Sequence, residues 1–141
     1  MGGKRYRFEA LKRVGLEKMI LLDTNILIEV LKNSRKIVKF LNSLDGDFAI
    51  SSVTMMELYY GAFNKAEVSM LERFFAHFAI VHIDEEISQI ATNLIKTYAK
   101  SHNLTIPDSL IAATAIKQEC YLFTLNKKDF RYIEKLKLLE V

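Results

Sequence analysis

The stretch that most constrains this chain is Met19–Leu31, MILLDTNILIEVL, where four apolar residues run straight into Asp23-Thr24-Asn25 and a helical pattern follows. Met19, Ile20, Leu21 and Leu22 do not alternate with polar residues, the pattern of a strand buried on both faces, as the centre of a parallel sheet requires. Asp23 then stands at that strand's carboxyl end. Thr24 or Asn25 can cap the helix after it, whose Ile26, Leu27, Val30 and Leu31 recur at helical spacing. Ligands of open α/β sheets bind in the crevice outside the strands' carboxyl ends, so an acid at this point is placed for chemistry; the plainer role is a helix cap.

The rest of the composition narrows the class. With 141 residues, half of them hydrophobic, and with one proline and five glycines, the chain is expected to form one compact domain. The single Cys120 cannot form an intramolecular disulfide, which fits a reducing compartment, and its ordinary role is a small apolar residue entering a strand. No apolar run approaches the roughly 18 residues of a membrane span. The first 18 residues lack the apolar core of a signal peptide, so a cytoplasmic location is expected. The net charge of +3 hides an asymmetry: residues 1–18 hold six Lys/Arg against two Glu, leaving fourteen against fifteen in residues 19–141. The division expected is therefore a basic N-terminal extension, 1–18, and a slightly acidic domain, 19–141. The extension is read as a short helix from Arg7 to Val14 or as a frayed tail, with no chemistry.

Along the chain, apolar runs alternate with amphipathic ones. Ser34 opens a helix through Leu44, Asp45-Gly46-Asp47 is a turn, and Phe48–Ser51 is a buried strand. Ser52 caps a helix Val53–Asn64, and Lys65–Phe78 is the next helix. Ala79–Ile83 is the third strand and Asp84 caps a helix Glu85–Ser101. A further helix opens at Ile106-Pro107-Asp108, the fourth strand is Tyr121–Leu125, a short helix lies near Phe130–Lys135, and a last strand occupies Leu136–Val141. Such alternation predicts a parallel sheet with helices on both faces and right-handed crossovers.

Most of the carboxylates fall on helix faces that solvent should cover. Asp23, Glu57 and Asp108, and Asn126 with Asp129, differ, because a parallel sheet carries all of them to one edge. Like charges gathered there repel one another unless a cation screens them. Oxygen donors without histidine or cysteine favour Mg2+ or Mn2+ over zinc.

These residues resemble a known family, the PIN domain, and within it the VapC-type ribonuclease toxins. The matching pieces are Leu22-Asp23-Thr24-Asn25, Ser52–Leu58 with Tyr60-Gly61, Pro107–Ala113 and Thr124–Phe130, in family order over roughly residues 19–136. The resemblance implies a three-layer α/β/α fold with about five parallel strands in the order 3-2-1-4-5. It also implies a metal site of Asp23, Glu57 and Asp108, and a catalytic group that extends to Asn126 and Asp129. The family's fourth position is often aspartate but is Asn126 here; Asp129 can supply the missing charge or can cap the last short helix. Thr24, Asn25, Thr54 and Thr124 are candidates to orient the carboxylates by hydroxyl or amide. The implied activity is hydrolysis of RNA by metal-activated water, leaving a 5′-phosphate and a 3′-hydroxyl, and the implied partner is a protein antitoxin across the active-site groove.

Other classes fail on particular residues. The chain has no G-x-G-x-x-G after its first strand and no P-loop lysine motif. His77, His82 and His102 are assigned structural roles, which leaves a Ser-His-Asp hydrolase without its base. A phosphoacceptor receiver domain would need its aspartate after the third strand, where only Asp84 stands. A PIN fold retained purely for interaction is the other alternative, and Asn126 keeps it open. Finally, Tyr59, Tyr60, Phe63, Phe74, Phe75 and Phe78 crowd two consecutive helices, which predicts either a homodimer interface or core filling between those helices.

Overall fold

The computed structural model describes residues 19–44 and 47–140. The expectation for residues 1–18, and the centre of the Asp45-Gly46-Asp47 turn, lie outside them. The strands are β1 (Ile20–Leu22), β2 (Phe48–Ser51), β3 (Ala79–Val81) and β4 (Leu122–Phe123). The helices are α1 (Thr24–Leu31), α2 (Arg35–Asn42), α3 (Ser52–Tyr60), α4 (Lys65–Phe75), α5 (Glu85–His102) and α6 (Ile106–Gln118), with one 3-10 turn at Lys127–Asp129.

All strand pairs are parallel and the order is β3-β2-β1-β4. The uninterrupted apolar run does become the centre of the sheet: Ile20 and Leu21 pair with Phe48 and Ala49, while Leu21 and Leu22 pair with Leu122 and Phe123. Side chains of a strand alternate between faces. On one face Ile20, Leu22, Phe48, Ile50 and Phe123 meet Ile26, Leu27 and Val30 of α1, Leu41 of α2 and Leu71 and Phe75 of α4. On the other, Leu21, Ala49 and Leu122 meet Ile111, Ala112 and Ala115 of α6. The small residues of α6 let it lie close to the sheet, and Ile87 and Ala91 bring α5 against it.

Several boundaries differ from the sequence expectation. Asp23 itself caps α1, accepting from the Thr24 N–H, and Ser51, the last residue of β2, caps α3, accepting from the Val53 N–H. Ser51 stands one residue before the expected Ser52, and at α1 the plainer role of Asp23 as helix cap holds in place of Thr24 or Asn25, because in both places the strand passes into the helix with no intervening loop. Helix α3 stops at Tyr60; Gly61 ends it, and Asn64 caps α4 by accepting from the Glu67 N–H. Helix α4 stops at Phe75, and turn bonds carry the chain to Phe78.

At the sheet's far edge the expected fifth strand is reduced to one parallel bridge, Leu122 to Leu138, with the Leu122 N–H donating to the Lys137 carbonyl and the Leu139 N–H to the Leu122 carbonyl, both at 2.9 Å. A two-residue β4 offers no longer edge to pair with. The expected helix near Phe130–Lys135 is likewise a run of turns after the 3-10 turn, which buries Phe130 and Ile133 three residues apart.

The aromatic crowd divides. Phe75 and Phe78 are buried, Tyr59 meets Phe75 edge-on at 5.2 Å, and Phe74 meets Phe78 at 5.2 Å, so these four fill core. Tyr60 and Phe63 stay 94% and 88% exposed, and Met56, one helical turn before Tyr60, is 58% exposed. Cys120 is buried in the second core. No helix among the described residues is long and apolar enough to cross a membrane.

Candidate active site

The site begins where β1 ends. The Asp23 N–H still belongs to the sheet, donating to the Phe123 carbonyl at 2.9 Å, while its side chain has left it. One carboxylate oxygen accepts from the Thr24 N–H at 2.8 Å and the other from the Thr124 hydroxyl at 2.7 Å, so both are fixed, by two different elements. Thr124 follows β4 directly and is buried. Having given its proton to Asp23, its oxygen accepts from the Asn25 side-chain amide at 3.4 Å and the Asn126 N–H at 3.0 Å. The Asn25 carbonyl in turn accepts from the Leu125 N–H at 3.3 Å. The loop leaving β4 is thereby tied to the start of α1.

Glu57 is held from the same helix start. The Thr24 hydroxyl donates to its carboxylate at 2.7 Å and lies 2.9 Å from the hydroxyl of Thr54, which is fully buried. A hydroxyl has one proton to give, so Thr54 must donate to Thr24 in this arrangement. Asp108 arrives from the opposite side, in the first turn of α6, its N–H donating to the capping Thr105 hydroxyl at 3.3 Å.

Asp23, Thr24, Asn25, Glu57, Asp108 and Asn126 line one open groove of about 550 Å³, with Ile28, Leu58 and Gly61 completing the wall. Asp129 is absent from that wall. It ends the 3-10 turn, its N–H donating to the Asn126 carbonyl, and so it is not the helix cap considered as its alternative role. Its charge nevertheless reaches the groove. Burial pushes the Asp108 carboxyl up to about 6, helped by the charges of Asp23, Asp129 and Glu57. Burial likewise raises Asp23, against the lowering effect of its bonds from Thr124 and Thr24, and Glu57 and Asp129 raise it further. The groove is thus a pocket of negative potential held together by hydroxyl and amide donors.

The groove offers oxygen donors, without histidine or cysteine in its lining. Among the described residues no three Asp, Glu, His or Cys side chains already converge on one point as a closed metal cage. The donor set therefore suits a hard cation that keeps part of its water shell, which is how Mg2+ is ordinarily bound. Sequence reasoning passed over Ile28, Leu58 and Gly61 as wall residues. One signal was present: Ile28 is apolar yet lies off the buried stripe of Ile26, Leu27 and Val30, and it is exposed.

Comparison with known proteins identifies the family. The family model described as PIN domain matches residues 20–136. The chain is 38% identical over 122 residues to ribonuclease VapC10 of Mycobacterium tuberculosis, covering 84% of this chain and 91% of that one. It is 36% identical over 124 residues to ribonuclease VapC1 of Methanocaldococcus jannaschii, covering 86% of each. Among solved structures, VapBC2 from Rickettsia felis, bound to a promoter DNA fragment, superposes with a TM-score of 0.74 at 28% identity, covering 86% of this chain and 97% of that one. A toxin–antitoxin complex from Klebsiella pneumoniae gives 0.71 at 30% identity, covering 86% and 99%. With its central β1 delivering Asp23, its three-layer α/β/α fold and this match over most of its length, the chain belongs to the PIN domain family.

Proposed function

We propose that this chain is a VapC-type toxin, a Mg2+- or Mn2+-dependent endoribonuclease of the cytoplasm that a protein antitoxin holds inactive. The observation that carries the reading is the meeting of Asp23, Glu57, Asp108 and Asn126 on one open groove, with the Thr24 and Thr124 hydroxyls donating to the carboxylates. Relatives named ribonuclease VapC support the reaction class, and solved VapBC and toxin–antitoxin complexes support the partner.

Asp23, Asp108 and Glu57 would hold the cation, with waters completing its shell. When bound, the ion would offset the charge developing on the phosphate and supply a water of lowered pKa. The chain's own residues do the positioning. Thr124 and the Thr24 N–H fix both oxygens of Asp23; Thr24, backed by Thr54, fixes Glu57; Asn25 and the Asn126 N–H hold Thr124. Hydrolysis adds water across the phosphorus–O3′ bond: water oxygen joins phosphorus, the O3′ leaves and takes a proton, and the other fragment keeps a 5′-phosphate. An open groove suits an unpaired strand, the usual target of sequence-specific RNA recognition.

Met56, Tyr60 and Phe63 form exposed apolar surface beside the groove wall at Leu58 and Gly61, and support a homodimer through α3. The antitoxin would then take the groove, setting a basic side chain among the acids.

Purified protein should cleave RNA only with Mg2+ or Mn2+ present, and sequencing the cut ends would identify the substrate. An Asp108→Asn protein that cuts as fast as the wild type would overturn the assignment. A wild-type protein that binds a partner but cuts no RNA would make this an interaction module, the reading that Asn126 in place of aspartate favours.

A further inference from the structure

We infer that the ring cluster Tyr98–His102–Tyr132 is a platform on which an unpaired RNA base stacks beside the scissile phosphate, a specificity element that rests on the ribonuclease reading. Tyr98 and His102, one turn apart at the end of α5, converge with Tyr132, which lies beyond the 3-10 turn. The imidazole of His102 lies on the Tyr132 ring with centroids 4.0 Å apart and planes 14° from parallel. Tyr98 meets both edge-on, at 5.7 Å from His102 and 5.0 Å from Tyr132. The Ser101 hydroxyl lies 2.7 Å from His102 Nδ1 and fixes the turn of the imidazole about its own bond.

Two features separate this cluster from an internal staple. The first is exposure: Tyr98 and Tyr132 are half-buried, but His102 is exposed although Tyr132 covers one of its faces, so ring surface is left open to solvent. The second is position. Asn103 ends α5 in the left-handed conformation (φ 59°), and the chain turns back through Thr105 into the α6 turn that carries Asp108. Tyr132 lies three residues beyond Asp129. Burial, and then the charges of Asp108 and Asp129, push its phenol above its ordinary value. The stack therefore lies by the turn from α5 into the Asp108 end of α6, outside the residues that line the groove, with Tyr98 also facing a separate pocket beside Leu94 and Ile133.

A flat ring held by a second ring, open to solvent beside a phosphodiester-cleaving groove, has the form of the aromatic platforms on which single-stranded bases stack. Every base has a π-face, so the platform accepts any base, with preference set by stacking strength. His102, assigned a structural role from the sequence, is on this argument a residue the substrate touches outside the acids.

The test uses short unpaired RNA carrying 2-aminopurine at successive positions, because this base loses fluorescence when it stacks. In the Asp23→Asn protein, which should bind without cutting, one position should be quenched, and His102→Ala added to it should abolish that quench. In otherwise wild-type protein His102→Ala should raise KM about tenfold with kcat unchanged, and His102→Phe, which keeps a ring but no titrating nitrogen, should restore it. Unchanged KM and unchanged quench in His102→Ala would overturn the platform while leaving the ribonuclease reading intact. Quenching by a wild-type protein that cuts nothing would uphold the platform and overturn the ribonuclease reading.

Discussion

Two aspartates leave two strands of this sheet and cap the next helix, yet their surroundings are opposite. Asp23 leaves the central β1 and caps α1; Asp84 follows the edge strand β3 and caps α5, one oxygen accepting from the Ile87 N–H at 2.8 Å. Asp23 is buried and its carboxyl is raised, whereas Asp84 is exposed and lowered, chiefly because its other oxygen accepts from the Lys117 ammonium at 2.7 Å. The same strand–acid–helix pattern thus yields a charge that no Lys or Arg among the described residues pairs with at the centre and one already neutralised at the edge. Topology makes the difference: the centre of a parallel sheet gathers carboxyl ends from both sides, and here those bring Glu57, Asp108 and Asp129. The edge meets the end of α6 with its lysine. It also weighs against the receiver-like alternative, whose acceptor after the third strand would be Asp84, a helix cap paired with Lys117.

The largest contrast is expected in catalysis. Asp23→Asn should lower cleavage by at least two orders of magnitude, on the scale of losing a group that stabilises transition-state charge, while Asp84→Asn should leave it unchanged. Rates on one RNA under saturating Mg2+ would decide. Equal losses would show that folding, not chemistry, is being measured.

Thr124→Val comes next. It leaves the shape but removes the donor to Asp23 and the acceptor for Asn25 and the Asn126 N–H. Groups supporting a metal site typically matter 10- to 100-fold in affinity or activity, and a buried polar group left without its partner costs about 1–3 kcal/mol. Calorimetric titration with Mn2+ and chemical denaturation would measure the two. Unchanged Mn2+ affinity would mean that the Thr124–Asp23 bond does not orient the site.

The third contrast is with pH, without divalent cations. A carboxyl whose pKa folding raises holds its proton more tightly folded than unfolded, so the folded state is favoured at low pH and that advantage is lost as pH rises. For Asp108 the window runs from its ordinary 3.8 to about 6. Two pKa units set an unscreened ceiling of about 3 kcal/mol, which solvent screening at this half-buried group reduces to about 1 kcal/mol. Relative to Asp108→Asn, the wild type should lose stability between pH 4 and pH 6.5 in chelator and regain it on adding Mg2+. A difference between the two proteins that stays flat across that window would refute the charge cluster.

Much of this was legible in the residues because it rests on local signals. The unbroken apolar run Met19–Leu22 could only be central, and Asp23 follows a strand, Asp108 opens a helix and Glu57 lies in the second turn of a helix, all recognisable from spacing. What escaped depends on packing. Whether Ser51 or Ser52 caps α3 is settled by where the β2 ladder ends, and the sequence offers both. The last strand shrank to a bridge because its partner β4 is two residues long, a property of the partner. Asp129 and Asn126 were legible as a pair, but only the 3-10 turn between them shows that Asn126 lines the groove while Asp129 contributes charge from behind. The exposure of Tyr60 and Phe63 against the burial of Phe75 and Phe78 follows from α3 ending at Gly61, which no periodicity marks.

The smallest effect belongs to the edge. Lys117 donates to Asp84 at 2.7 Å and lies 3.8 Å from Glu86, tying the end of α6 to the start of α5 through partly exposed side chains. Exposed pairs contribute little, and salt screens them within about 10 Å at 0.1 M. Lys117→Met, which keeps an apolar stem of similar length, should therefore lower the melting temperature by less than Thr124→Val does, and the difference from the wild type should vanish in 1 M salt. The Asp84 cap should survive, since its bond from the Ile87 N–H does not need the lysine. A large loss that persists in high salt would mean that Lys117 packs rather than pairs, and the contrast between a screened edge acid and a stranded central one would then need another cause.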